Sequence, residues 1–201
     1  MNGNQPQSTP AQATVEDEEK VSYLLALLTS DDTQLRLDAA NAIAAHPGQA
    51  TTRGLLGLLG QHPDPVVRYD AAYALAELGD PEVLPELLDV AGDLAEIDRV
   101  RGQAIEAIGV LLAGTDRRKK IFKEAADHLI ALLDDPWPEV RFWCCYSLGV
   151  MRANQATPIL QRLAATDDEK AAKGFGWPTV GDEAQAAITA IEEGTFPVPE
   201  N

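Results

Sequence analysis

The chain reads as an all-α protein, a solenoid of about five stacked helical hairpins with no β-sheet. Three observations predict this. Alanine and leucine are abundant while aromatic residues make up only 5% of 201 residues, a balance that favours helices over strands. Four arginines, each preceded by an aliphatic residue, recur 32, 33 and 40 residues apart, at Leu35-Arg36, Val67-Arg68, Val100-Arg101 and Val140-Arg141. The residues after each arginine also recur in kind, which is the signature of a repeat architecture.

Three positions past the arginine stand Ala39, Ala71, Ala104 and Cys144; six past it, Ala42, Ala74, Ala107 and Ser147; seven past it, Ile43, Leu75, Ile108 and Leu148. These positions share one side of a 3.6-residue wheel, so each copy is an amphipathic helix whose small-residue face allows close packing. A fifth copy, Val180-Gly181 with Ala184, Ala187 and Ile188, keeps the pattern without the arginine. Ahead of each copy lies a second apolar-periodic segment: Val21 to Leu28, Thr51 to Leu59, Val83 to Val90, Ile121 to Leu133, and Ala156 to Leu163. The hairpins therefore span about residues 16–46, 48–79, 80–113, 121–152 and 154–193. His46-Pro47-Gly48, His62-Pro63-Asp64-Pro65, Gly79-Asp80-Pro81 and Asp134-Asp135-Pro136 supply the stops and caps between helices. Two insertions fall in loops, at Gly114 to Lys120 and Asp167 to Gly176. The tails, 1–15 and 194–201, are rich in polar residues and proline and are expected to be disordered or loosely attached.

The pattern Asp-Pro-x-Val-Arg-x-x-Ala-Ala-x-Ala-Leu, clearest at Asp64 to Leu75 and recurring at Asp135 to Leu148, resembles the HEAT repeat, especially the short bacterial form of phycobilin lyases. The resemblance covers about residues 20–193. It implies a right-handed solenoid with the Val-Arg helices on its concave side, and a ladder in which arginines and preceding turn aspartates join the repeats. The ladder residues so implied are Asp32, Arg36, Asp64, Arg68, Arg101, Asp135 and Arg141, ending before Gly181.

On that concave side the residues one, two and five past each arginine face outward. They are Leu37, Asp38 and Asn41; Tyr69, Asp70 and Tyr73; Gly102, Gln103 and Glu106; Phe142, Trp143 and Tyr146; and Asp182, Glu183 and Ala186. Five of the chain's eleven aromatic residues fall here, where a solvated face calls for polar ones and where interface anchors are aromatic. The alternative is that rings such as Phe142 and Tyr69 fill space between neighbouring helices. Trp137 and Trp177 occupy equivalent places in Trp-Pro-x-Val motifs, and either line one rim of the groove together or each cap their own hairpin. The candidate binding residues are Tyr69, Tyr73, Glu106, Trp137, Phe142, Trp143, Tyr146 and Trp177. Asp38, Asp70, Glu106, Asp182 and Glu183 are expected to surround them with negative charge.

A formal charge of −16 disfavours phosphate backbones and anionic membrane surfaces, and no stretch reaches the length of an apolar membrane span. The protein is expected in the cytoplasm. Adjacent Cys144 and Cys145 occupy packing positions and cannot form an ordinary disulfide. His46, His62 and His128 form no metal-ligand spacing, and the repeated His-Glu dyads of HEAT-type di-iron hydroxylases are absent. No nucleophile and base assemble, no metal or other cofactor is called for, and the basic run Arg117 to Lys120 suits a helix end. The function expected is a non-enzymatic adaptor or scaffold that binds another protein, with a basic segment as the complementary partner. The alternatives are a tetrapyrrole-binding lyase or chaperone, which the resemblance at Trp137 to Trp143 implies, and an acidic immunity-type inhibitor of a basic toxin or nuclease.

Overall fold

The computed structural model describes residues 15–172 and 176–194. Among them, ten α-helices alternate as first and second members of five hairpins: α1 (Val15–Leu27) with α2 (Thr33–Ile43), α3 (Gln49–Gln61) with α4 (Pro65–Leu78), α5 (Leu84–Gly92) with α6 (Asp98–Leu112), α7 (Lys120–Ala131) with α8 (Pro138–Met151), and α9 (Thr157–Thr166) with α10 (Val180–Glu193). The sole β pairing among the described residues is an isolated bridge between Lys170 and Thr179. No helix among them is long and apolar enough to cross a membrane. Most of the expected tails, residues 1–14 and 195–201, lie outside the described residues. Val15 already opens α1, and Gly194, with φ of 77°, closes α10.

The second helices follow one positional code. The residue before the arginine is buried at Val67, Val100, Val140 and Val180, whereas Leu35 on the first described hairpin is 44% exposed. Four past the arginine, Ala40, Ala72, Ile105 and Cys145 are buried, whereas Gln185 on the last hairpin is exposed. One edge of each helix thus faces the preceding hairpin and the other the next. Second helices contact one another along the whole stack, while among first helices only α1 and α3 pack together substantially, so the second-helix layer forms the inner curve. Close approach is clearest between α6 and α8. A Cβ on Gly109 would lie 2.9 Å from the Ser147 backbone, and the Ser147 hydroxyl donates to the Ile105 carbonyl at 2.8 Å.

Each arginine joins three pieces of chain. Within its own hairpin it donates to a carbonyl near the end of the first helix or in the turn beyond: Arg36 to Ser30, Arg68 to His62, Arg101 to Ala91 and Arg141 to Asp135. Such carbonyls lack helical partners, and a cation there meets the negative pole of the first helix. The remaining N–H groups reach a carboxylate of the next hairpin: Asp70 at 2.7 Å, Glu96 at 2.6 Å, Asp135 at 2.6 Å, and Asp167 at 2.8 Å with Glu169 at 2.6 Å. This corrects the expected ladder at two rungs. Asp32 and Asp64 do not meet an arginine, because their carboxylates accept first-turn N–H groups of their own helices. Asp135 does both, capping through the Trp137 N–H and pairing with Arg101 of the preceding hairpin.

Gly181 stands where the fifth arginine would be. A Cβ there would come within 2.7 Å of the Asp167 carbonyl, which already accepts the Gly181 N–H at 2.8 Å. The loop that receives Arg141 therefore also seats α10.

The Arg101–Asp135 side chains are 1% and 2% exposed. Removing either partner strands a buried charge, so Arg101→Ala or Asp135→Ala should cost about 3–5 kcal/mol by urea unfolding, insensitive to added salt. Arg118→Ala, which breaks a fully solvated contact with Asp116, should leave the midpoint unchanged.

Candidate binding groove

The inner faces of α4, α6, α8 and α10 carry the residues two and five past the arginine side by side. On α8, Trp143 leans toward the preceding hairpin, where Gly102 makes room: a Cβ there would lie 2.5 Å from Trp143 Cδ1. Trp143 then meets Phe142, Tyr146 and Trp177 edge-on, with ring centroids 5.4, 5.5 and 5.9 Å away, and Phe142 meets Trp177 at 5.5 Å. Such edge-to-face pairs each add about 0.5–1.5 kcal/mol beyond burial. A cleft of about 370 Å³ opens beside them, lined by Tyr69, Arg99, Glu139, Trp143, Trp177 and the alanines Ala171 and Ala172.

The structure separates the predicted residues into three groups. Trp143, Tyr146, Trp177, Tyr69, Tyr73 and Glu106 are half-buried on or beside the groove. Phe142 is only 5% exposed, because one position past the arginine faces the next hairpin and there Trp177 covers it. Trp137 is 54% exposed and outside the ring cluster. The two tryptophans therefore do not line one rim together: Trp177 folds back onto α8, while Trp137 keeps to the start of its own helix.

The expected acidic surround also divides. Asp70 is engaged by Arg36, Asp182 forms a capping box with Thr179, and Asp38 accepts from Gln34. Glu106 remains on the groove, accepting from Gln103 at 2.8 Å; burial, with nearby Glu77, raises its pKa against the opposing Gln103 hydrogen bond. Glu183 is buried and not on the solvated face. It is 8% exposed, and its Oε1 has no hydrogen-bond donor among the described residues. Burial pushes its pKa up to about 7.

Sequence reasoning missed Arg99 and Glu139. Arg99 lies 4.8 Å from the Tyr69 ring centroid and faces Glu139 across the cleft mouth. Burial, then Asp98, raises the Glu139 carboxyl, and Arg99 partly offsets them. The signal available was helical spacing: Arg99 lies two residues before Arg101, and Glu139 two before Arg141. Burial likewise raises the Tyr69, Tyr73 and Tyr146 phenols, each with a further push from a groove carboxylate.

Other reactive groups lie elsewhere. Cys144 and Cys145 are fully buried, and desolvation pushes both thiols far up. His62 accepts the Asp64 N–H, and His128 packs on α7 against Gly92 of α5. Among the described residues no three His, Cys, Asp or Glu side chains are grouped to hold a metal. The basic run is largely engaged, Arg118 with Asp116, Lys120 with Glu124, and Arg117 with the Arg152 carbonyl.

Helical hairpins joined by an arginine on each of the first four second helices, with a groove along those helices, define an α-solenoid of the repeat-scaffold class. A profile of HEAT repeats matches residues 21–109 and 96–174. The chain belongs to the HEAT-repeat family. Among solved structures it is similar to a chain of the complex of CpcE and CpcF of phycocyanin lyase from Nostoc sp. PCC7120, with a TM-score of 0.69 and 20% identity over 85% of this chain and 98% of that one. It also aligns with human deoxyhypusine hydroxylase in complex with glycerol, with a TM-score of 0.45 and 17% identity over 88% of this chain and 86% of that one. Comparison with curated proteins finds no match.

Glu183 predicts an unusual pH dependence. Its folded pKa of about 7 lies above the unfolded carboxylate value, so the native state binds the proton more tightly. Stability should fall as pH rises from roughly 4.5 through 7 and level off above it. Glu183→Gln should remove that slope and be the more stable form at pH 8 by on the order of 3 kcal/mol, read from urea midpoints across the range.

Proposed function

We propose that this protein is a non-enzymatic scaffold that grips a segment of another protein along the inner helices, centred on α8. The observation that carries the reading is the half-buried aromatic group Trp143, Tyr146 and Trp177 beside a cleft, with Tyr69 and Tyr73 continuing it on α4. Rigid aromatics with a polar edge give large contact area for little loss of side-chain freedom, which is why interfaces concentrate their binding energy on them. The surface charge suits a partner with basic residues, since opposite potentials speed encounter and disfavour anionic competitors.

A second reading draws on the cleft itself. Its tyrosine and tryptophan walls and the Arg99 guanidinium at its mouth suit a flat conjugated ligand bearing a carboxylate, such as an open-chain tetrapyrrole. The similar fold from a phycocyanin lyase complex agrees with that chemistry at the level of architecture. The net charge of −16 works against a pigment with two propionates, so the protein-binding reading stands first.

The two are separated by what binds. Affinity purification from the native host with mass spectrometry should recover a partner that Trp143→Ala and Tyr146→Ala each weaken at least tenfold, while Trp137→Ala has little effect. Retention of every partner by both groove variants would sink the assignment of the groove. A red-shifted bilin absorbance on mixing, lost in Trp143→Ala, would support the second reading instead.

A further inference from the structure

We infer that the edge of hairpin one formed by Tyr23, Leu35, Asp38 and Ala42 is a second docking surface, separate from the groove. Its occupant is an α-helical hairpin of another protein, which stacks on α2 and brings an arginine to Asp38.

The repeat assigns that edge its role. The residue before the arginine and those two, three and six past it form one stripe, since helical spacing puts all four within an arc of about 100°. On α4 the stripe is Val67, Asp70, Ala71 and Ala74, and there and at the matching positions of α6, α8 and α10 every residue is buried or half-buried. What covers it is the second helix of the preceding hairpin. Arg36 of α2 holds Asp70 at 2.7 Å, Gly102 of α6 makes room for Trp143, and Glu183 is close enough to α8 for its charge to act on Cys145. On α2 only Ala39 of the stripe is buried, while Leu35, Asp38 and Ala42 are exposed.

The residue types on α2 are nonetheless those of a buried joint, an aliphatic side chain and small ones around a carboxylate. Helix α1 extends the patch. Leu25 lies over Gly54 of α3, and Tyr23, two residues away and so turned by about 200°, is on the opposite side, 63% exposed. Hairpin five is built differently. On the edge of α10 turned away from α8, Gln185 and Thr189 stand where the earlier copies have alanine, glycine, isoleucine or cysteine. A polar face of that kind closes a repeat stack to solvent, and hairpin one lacks it.

Charge selects the occupant. Asp38 holds the place of Asp70, the carboxylate that receives Arg36, so a hairpin stacked on α2 in the same register delivers its own arginine there. Among the described residues the Asp38 side chain accepts only from the neutral Gln34 amide, at 2.9 Å. Residues 1–14 contain no lysine or arginine to meet it. A second copy stacked head to tail would present Gly181 and the exposed Asp182 where the arginine belongs. Two copies meeting edge to edge would oppose two chains of charge −16 with no cation between the Asp38 carboxylates. The partner is therefore a different protein, and its docking continues the stacking by which the hairpins of this chain already join.

The test puts the photocrosslinker p-benzoylphenylalanine in place of Ala42 in the full chain, expressed in the native host, with folding of every form checked by circular dichroism. Irradiation should join it to a helix of one other protein, and peptide mass spectrometry should place the joint within about two helical turns of an arginine. Leu35→Asp and Asp38→Arg should each weaken binding of that purified protein at least tenfold, and Arg118→Ala, in the loop after α6, should not. Reversing the partner's arginine to glutamate should weaken binding as much, and Asp38→Arg should restore it. A crosslink confined to a second copy or to residues 1–14, a joined segment with no arginine in reach, full binding by the Asp38→Arg form, or no crosslink at all would each overturn the proposal. None of these outcomes bears on the groove, which the Trp143 and Tyr146 variants test separately.

Discussion

The stack depends on one arginine in each of its first four hairpins. Each guanidinium closes its own hairpin by donating to a carbonyl at the end of the first helix, and fastens the next by holding a carboxylate there. Arginine suits this because its planar fork offers five donors in fixed directions, and lysine would satisfy one arm only. Glu96 illustrates the effect on the partner. Desolvation alone would raise its carboxyl, but the paired Arg68 N–H groups hold it below the ordinary carboxylate range. Packing and ion pairing act on the same surface, since the alanine rows bring the helices close enough for side chains to span from one hairpin to the next.

That closeness also shapes the groove. Second helices that nearly touch leave room for a large side chain only where the neighbour has none, and Gly102 is such a place. Trp143 fills it, and the other rings assemble around Trp143 because their register is already set by the stacking. The ring cluster is therefore a consequence of the inner layer's spacing, completed by Trp177 from the segment ahead of α10.

The repeat explains what was legible in the sequence. Positions such as Ala71 and Leu75 have one environment in every copy, so residue type alone reveals their burial, and the hairpins followed from them. Partner identity was harder to read. Asp32, Asp64 and Asp135 look alike in sequence, and only the third meets an arginine, because pairing depends on which acid of the next hairpin stands within reach. The groove residues were recognisable as a set but not one by one. Phe142 and Trp143 are adjacent aromatics, yet a turn of about 100° sends one against the next hairpin and leaves the other half-exposed. Glu183 was hidden for the opposite reason: a charged residue at an outward position implies solvent, and only the packing of α10 against α8 reveals its burial.

The first and fifth hairpins differ in what they bring to the ring cluster on α8. In hairpin one Leu35 and Leu37 are 44% and 45% exposed, and Asn41 accepts a hydrogen bond from the Tyr73 hydroxyl. Hairpin five contributes a loop that receives Arg141, seats Gly181 and returns Trp177 to the α8 face. Variation at outward positions in a repeat is ordinarily independent from copy to copy. Here it is coupled, since Trp143 requires a glycine one hairpin earlier and its ring cluster requires a tryptophan one hairpin later. A change in hairpin three or five that leaves the arginine joints intact would still reshape the groove, because Gly102 and Trp177 both fix the place of Trp143.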